Sequence, residues 1–309
     1  MRIIFFGTPE FAVSSLKKLY DNSVDIAAVV TAPDRPSGRG LKMNATAIKK
    51  YALDQSIPVL QPEKLKDQLF LKQLKNFQAD LFVVVAFRML PSIVWQMPSR
   101  GTINLHASLL PNYRGAAPIN WAIINGEERT GVTTFFINDK IDTGDFLLKK
   151  EVEINIDDTA GSLHDTLEEI GSDLLLETCK QLKANQLDGK KQLLSGEEKI
   201  ASKLNRVICQ INWQKPITGI YNHIRGLSPY PAAWTTLKNK VCKIYEVGIE
   251  LSQHSKISGT LITDNKSFIK VAVQGGYIDI KSLQLEGKKR LNTAEFLKGH
   301  VIESNEKIG

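Results

Sequence analysis

Cysteine is scarce in this chain. Its 309 residues include three, Cys179, Cys209 and Cys242, far apart and never as Cys-x-x-Cys. That spacing suggests neither a disulfide framework nor a zinc site, and a reducing compartment fits it best. There are five histidines and no His/Cys cluster, so no metal is expected. Long apolar runs are missing too. The longest, residues 81–87, is far short of the roughly 20 residues of a membrane helix. A strand-type run starts almost at Met1, so no signal peptide is expected, and the expected location is cytoplasmic. Glycine is thin where a dinucleotide would need it. A single Gly7 follows the first apolar run, where Gly-x-Gly-x-x-Gly would be required, and no Walker A sequence occurs. Nicotinamide and phosphoryl-transfer chemistry are thereby disfavoured.

Acidic residues run short at one end only. Residues 1–203 carry 25 Lys+Arg against 25 Asp+Glu, whereas residues 204–309 carry 15 against 8. The whole net charge of +7 therefore sits in the last third. A basic surface is a common solubility device, but it also suits an anionic partner, with nucleic acid the leading candidate. At 42% hydrophobic the chain can bury a core, and its length allows two domains.

The residues present supply a repeating pattern. Apolar runs of strand type occupy residues 2–6, 25–30 and 80–87, and Thr8-Pro9 has the chemistry of a helix start. Further strands are expected at 131–137 and 146–152, paired around the loop 138–144. A long helix is expected over 160–183, with Leu163, Leu167, Ile170, Leu174 and Leu182 on one face. Alternation of strands and helices argues for an α/β, Rossmann-like, doubly wound and mostly parallel sheet. Residues 186–203 are polar and read as a linker. Beyond it come a helix near 217–225 and several short strands, two of them flanking Gln274-Gly275-Gly276, with a bulge expected near Ser282. The expected division is 1–185, linker 186–203 and a small β-barrel domain over 204–309.

Candidate functional residues cluster in residues 101–118. Asn104 and His106 stand two apart on a strand, so their side chains share a face. They lie at the C-terminal end of that strand, where open α/β sheets bind ligands. A lone Asn or His in such a place is more often scaffold than catalyst, so the surrounding residues decide the matter. Asn104-x-His106 is followed by Ser108-Leu109-Leu110-Pro111 and by Tyr113-Arg114-Gly115-Ala116-Ala117-Pro118. This run resembles the signature of the folate-dependent formyltransferases. The loop from Pro33 to Lys42 is basic, with Arg35, Arg39 and Lys42, and rich in Pro and Gly, which resist regular structure. It resembles a loop of the methionyl-tRNA formyltransferases that reaches toward the acceptor end of the tRNA. Residues 138–145 hold three carboxylates, and Asp142-Thr143-Gly144-Asp145 alone is simply a turn. The resemblance selects Asp142 as the partner of His106.

The resemblance covers nearly the whole chain. It implies 10-formyltetrahydrofolate as donor, with Ser108, Leu109, Leu110 and Pro111 lining its site, and initiator methionyl-tRNA as acceptor. By position more than by motif, the last third resembles the family's C-terminal OB-like β-barrel, and a monomer is expected. Formyl transfer needs an acceptor for the amine proton and donors for an oxyanion. Asn104 and His106 suit the second task and Asp142 the first, while a carboxylate beside a histidine favours imidazolium. Two departures stand out. Arg88 follows Phe87 where the methionyl-tRNA enzymes usually have glycine and sugar formyltransferases often have arginine, and Asn212 replaces a common Asp. A left-handed backbone at Arg88 would alter the pterin pocket. The alternative functions are nucleotide-sugar amine formylation and non-catalytic nucleic-acid binding.

Overall fold

The computed structural model describes residues 1–37, 42–303 and 306–309. They form two compact units that interleave along the chain. The first comprises Met1–Gly115, Thr130–Val152 and His164–Ile200, the second Ala116–Arg129, Glu153–Leu163 and Ala201–Gly309.

The strands in chain order are β1 (Arg2–Gly7), β2 (Asp25–Val30), β3 (Arg35–Ser37), β4 (Lys42–Asn44), β5 (Val59–Leu60) and β6 (Leu81–Val85). Then come β7 (Thr102–His106), β8 (Arg114–Gly115), β9 (Arg129–Phe136), β10 (Phe146–Glu153) and β11 (Ile200–Ala201). The last six are β12 (Ala233–Leu237), β13 (Lys240–Leu251), β14 (Leu261–Thr263), β15 (Ile269–Val273), β16 (Gly276–Leu285) and β17 (Leu291–Asn292). The helices are α1 (Phe11–Asp21), α2 (Ala47–Asp54), α3 (Gln68–Asn76), α4 (Ser92–Trp95), α5 (Pro118–Ile124), α6 (Ala160–Lys183), α7 (Ile217–Leu227) and α8 (Thr293–Leu297).

In the first unit, seven strands run in the order β10-β9-β7-β6-β1-β2-β5. The pairs β2–β5, β1–β2, β1–β6 and β6–β7 are parallel, and β7–β9 is antiparallel. All five residues of β6 are buried, as are five of the six in β1, because helices cover both faces of a parallel sheet. The core between them holds Ile4, Phe6, Phe82 and Val84, with Phe70 and Leu74 of α3. The expected mixed, mostly parallel sheet is therefore present, and α6 has the expected bounds. At Thr8-Pro9 the chain makes a turn instead of entering a helix. The helix begins at Phe11 with no side-chain cap.

The second unit carries an antiparallel sheet, β12-β13-β16-β15-β14, with β17 on β16. Its core includes Ile220 and Ile224 of α7 beneath Ile244, Val271 and Ile278. Gly226 lets α5 come close to α7, since a Cβ there would lie 2.7 Å from Ile124 Cγ1. The two glycines Gly275 and Gly276, at φ +97° and +148°, make the β15–β16 turn. The register between β13 and β16 shifts on both sides of Glu246, which pairs with Ser282, and this is the expected bulge. Barrel closure is not found. Among the described residues no pairing joins β12 to β14, so the observed object is a six-stranded antiparallel sheet.

The three cysteines are free and buried, and burial pushes the Cys179 and Cys242 thiols up to about 12. Among the described residues no helix is long and apolar enough to cross a membrane.

Gly131 of β9 is the tightest test of the first sheet. A Cβ there would lie 2.1 Å from the Lys150 carbonyl oxygen of β10. Gly131→Ala is expected to cost about 2–3 kcal/mol, the scale of overpacking a filled site. Urea denaturation monitored by circular dichroism measures it. An unchanged midpoint would show that β10 yields freely there.

Candidate active site

Strand β7 presents the first two candidate residues. Asn104 pairs across the sheet with Phe135, and His106 with Thr133. Their shared face follows from the two-residue period of a strand. Among the described residues the half-buried Asn104 amide makes no hydrogen bond, so its donors are free for a ligand. His106 is 7% exposed, and its ring stands edge-on to Phe135. Its Nε2 lies 2.8 Å from the Tyr113 carbonyl oxygen. A carbonyl can only accept, so Nε2 carries the hydrogen and is committed to the backbone. Nδ1 is the nitrogen left for chemistry.

Asp142 meets that nitrogen. Its Oδ2 is 3.8 Å from His106 Nδ1 and accepts a hydrogen bond from the Gly115 amide at 2.9 Å. Asp142 has a left-handed backbone, φ +54°, unusual for a non-glycine residue and tolerated only where the surroundings over-determine it. Two residues on, Gly144 passes so close to β9 that a Cβ would sit 1.6 Å from the Phe136 carbonyl oxygen. The loop between β9 and β10 is thus drawn tightly back against β9. The structure brings His106 and Asp142 together, with Asn104 on the same strand face.

The 108–111 turn has a split character. Ser108 and Leu110 are buried, while Leu109 and Pro111 keep exposed surface. Ser108 Oγ donates to the Asn112 carbonyl at 2.7 Å. Thr133, fully buried, donates from Oγ1 to the Ser108 carbonyl at 2.7 Å and accepts from the Leu110 amide at 3.2 Å. Lys149 donates to the Leu110 carbonyl, and its ammonium lies 4.2 Å from the centre of the Phe146 ring. Burial pushes the Lys149 ammonium below its ordinary value. Thr133 and Lys149 carry no local sequence signal for this role, since strand pairing alone delivers them to the turn.

Residues 1–179 match the model of the family described as Formyl transferase, and residues 203–301 that of the Formyl transferase C-terminal domain. A methionyl-tRNA formyltransferase of Flavobacterium johnsoniae is 51% identical over 100% of this chain and 99% of its own length. One from Bacteroides fragilis is 46% identical over 98% of this chain and 97% of its own. The chain belongs to the methionyl-tRNA formyltransferase family. Among solved structures, an N-formyltransferase from Helicobacter canadensis, in complex with folinic acid and dTDP-3-aminofucose, aligns with a TM-score of 0.66. It covers 93% of this chain and 100% of its own, at 21% identity, a likeness of fold.

Within this formyltransferase, the basic segment after β2 is not a plain loop. β3 and β4 pair as an antiparallel ribbon, with Arg35 opposite Asn44 and Ser37 opposite Lys42. Pairing supplies the regularity that Pro and Gly content alone argued against. Arg35 is exposed on β3, Lys42 begins β4, and Arg39 lies outside the described residues. The root of the ribbon is braced. Asp34 accepts from Lys49 at 2.6 Å and from Gln61 at 2.8 Å, and these bonds hold its carboxyl below the ordinary carboxylate range.

Arg88 departs from the expectation of a left-handed backbone, a conformation found two residues earlier at Ala86, φ +48°. Its guanidinium instead donates to the carbonyls of Pro62 and Glu63, the latter at 2.8 Å. It therefore ties the end of β6 to the segment after β5. Asn212 caps a turn before α7, its Oδ1 accepting from the Gln214 amide at 2.9 Å, an acceptor role that Asp fills equally well.

The Thr133 hydroxyl is the buried joint of the 108–111 turn. Thr133→Val keeps its shape and removes both bonds, leaving buried backbone groups unpaired at a cost of about 1–3 kcal/mol. Chemical denaturation against wild type checks this, and a loss below the precision of the measurement would contradict it.

Proposed function

We infer that this chain transfers the formyl group of 10-formyltetrahydrofolate to the α-amine of initiator methionyl-tRNA. The observation that carries the reaction is the approach of the Asp142 carboxylate to His106 Nδ1 at 3.8 Å, on the strand face that also holds the free Asn104 amide. The amine attacks the formyl carbon and a C–N bond forms, while the carbonyl electron pair moves onto oxygen. Asn104 donates to that oxyanion, as does Nδ1–H of His106 in its imidazolium form. Asp142 accepts the proton leaving the amine. The intermediate then collapses, the carbonyl re-forms as the bond from carbon to N10 breaks, and N10 takes up the proton that Asp142 received as tetrahydrofolate leaves. Ser108, Leu109, Leu110 and Pro111 line the folate site, with Leu109 and Pro111 as its exposed surface. No residue of this scheme calls for a metal.

The acceptor assignment draws on the full-length relatives at 46–51% identity and on the +7 charge of residues 204–309. In this reading residues 1–185 form the catalytic domain and 186–203 a connector. Residues 204–309 are the tRNA-binding domain, while Arg35, Arg39 and Lys42 meet the acceptor end. The enzyme works as a cytoplasmic monomer. The neighbour solved with dTDP-3-aminofucose motivates a second reading, nucleotide-sugar amine formylation.

Offering the enzyme 10-formyltetrahydrofolate with methionyl-tRNA or with a dTDP-amino sugar decides between the two. Formyl-methionyl-tRNA is the expected product, and formylation of the sugar alone overturns this reading. Ala substitution of Asn104, His106 or Asp142 should each lower kcat by about 100-fold or more, the order of losing one oxyanion donor. Near-normal turnover of His106→Ala at saturating substrates contradicts the scheme.

A second prediction concerns salt. Each phosphate neutralised contributes a log–log slope of about −0.7 to −0.9 in affinity. Truncation before residue 204 is a poor probe, because the second unit also contains residues 116–129 and 153–163. Charge reversal of exposed Lys288 and Lys289 leaves that packing intact. It should weaken methionyl-tRNA binding, flatten its salt slope and leave folate binding unchanged. An acceptor affinity indifferent to salt would count against the tRNA role of this unit.

A further inference from the structure

Gln192 lies in a stretch whose polar composition reads as connector, yet its side chain is locked into the active-site scaffold. The Lys190 and Phe146 backbones exchange both hydrogen bonds at 2.8 Å, which sets the register of the segment against β10. Two residues later, the Gln192 amide uses both of its hydrogens. Nε2 donates to the Asp142 carbonyl at 3.0 Å and to the Gly144 carbonyl at 2.8 Å. At its other end, Oε1 accepts from Arg114 Nη2 at 2.5 Å.

Arg114 immediately precedes Gly115, whose amide donates to Asp142 Oδ2. The bonds therefore close a ring: Gln192 to the Asp142 backbone, the Asp142 carboxylate to Gly115, and Arg114 back to Gln192. Asp142 needs such a ring. Its left-handed backbone is a sparsely populated conformation that surrounding contacts must hold. Relaxation would turn the carboxylate away from His106 Nδ1.

We propose that Gln192 is a positioning residue that aims the Asp142 carboxylate at His106 by clamping the backbone on either side of Thr143. The inference rests on the catalytic role given to Asp142 above. Gln192 touches no reacting atom; it acts by holding the carboxylate where the amine proton is to be delivered. A misplacement of about 1 Å at a reacting centre can lower rate by about 100-fold. The connector is thereby a structural part of the catalytic unit, joined to it by side-chain chemistry that composition does not reveal.

The test is a double-mutant cycle on kcat with both substrates saturating, using Gln192→Ala, Asp142→Ala and the double variant. Gln192→Glu serves as a second single variant, because it keeps the acceptor for Arg114 and loses both donors to the loop. Either Gln192 variant is expected to lower kcat by about 10- to 100-fold with both KM values within about 3-fold of wild type, since the defect is orientation of a catalytic group. In the Asp142→Ala background the same Gln192 change should cost almost nothing further. Wild-type kcat in both Gln192 variants, with Asp142→Ala impaired, overturns this inference and leaves the role of Asp142 standing. An equal loss in both backgrounds also overturns it, since Gln192 would then act elsewhere. Full activity of Asp142→Ala overturns the catalytic reading and this inference together. If Gln192→Ala does not fold, the cycle is run with Gln192→Glu.

Discussion

Commitment of the His106 Nε2–H to the Tyr113 carbonyl is the constraint on which the site depends. A histidine with two free nitrogens could present either to a substrate. Here one is fixed to the backbone seven residues on, so the ring orientation and the reactive nitrogen are settled together. Nδ1 then faces Asp142, whose carboxylate is held by the Gly115 amide. The 107–113 turn thus returns to its own strand end, and Tyr113, at φ +61°, is buried where it does so.

Such commitments need a rigid base. Strands β1 and β6 are buried almost throughout, and β7 lies between β6 and β9, so its end cannot shift without unpacking the sheet. The change from parallel to antiparallel between β7 and β9 matters as much. It sets Thr133 opposite His106, from where its hydroxyl ties down the 108–111 turn. Because of the same reversal β9 ends opposite Ile103, near the start of β7, and the β9–β10 loop folds back to set Asp142 beside His106. Catalytic groups far apart in sequence converge because this loop returns along the strand and is held there by the Gly115 amide.

Much of this could be read from the chain, and the rest could not for definite reasons. The apolar runs of β1, β2 and β6 and the period of α6 are local signals, and they located those elements. Asn104 and His106 were legible because a strand forces residues two apart onto one face. Asp142 could be named only through family resemblance, since three carboxylates share its loop and only the folded path of that loop singles one out. Gln192 and Thr133 had no signal, because their roles arise from pairing between distant segments. The β3–β4 ribbon hid behind its prolines and glycines, and the assignment of residues 116–129 and 153–163 to the second unit is made by packing alone. Arg88 shows the opposite error. A residue type unusual for its place pointed to backbone strain, whereas its side chain supplies the bonds of a clasp.

The assignment of the two His106 nitrogens can be measured without turnover. Protein labelled with nitrogen-15 histidine gives distinct multiple-bond proton–nitrogen patterns for the two neutral tautomers, and His106→Gln identifies the signals. With the ring neutral, the account predicts that His106 carries its hydrogen on Nε2, leaving Nδ1 bare toward Asp142. A neutral ring protonated at Nδ1 would contradict it, because Nε2 would then have no hydrogen to give the Tyr113 carbonyl.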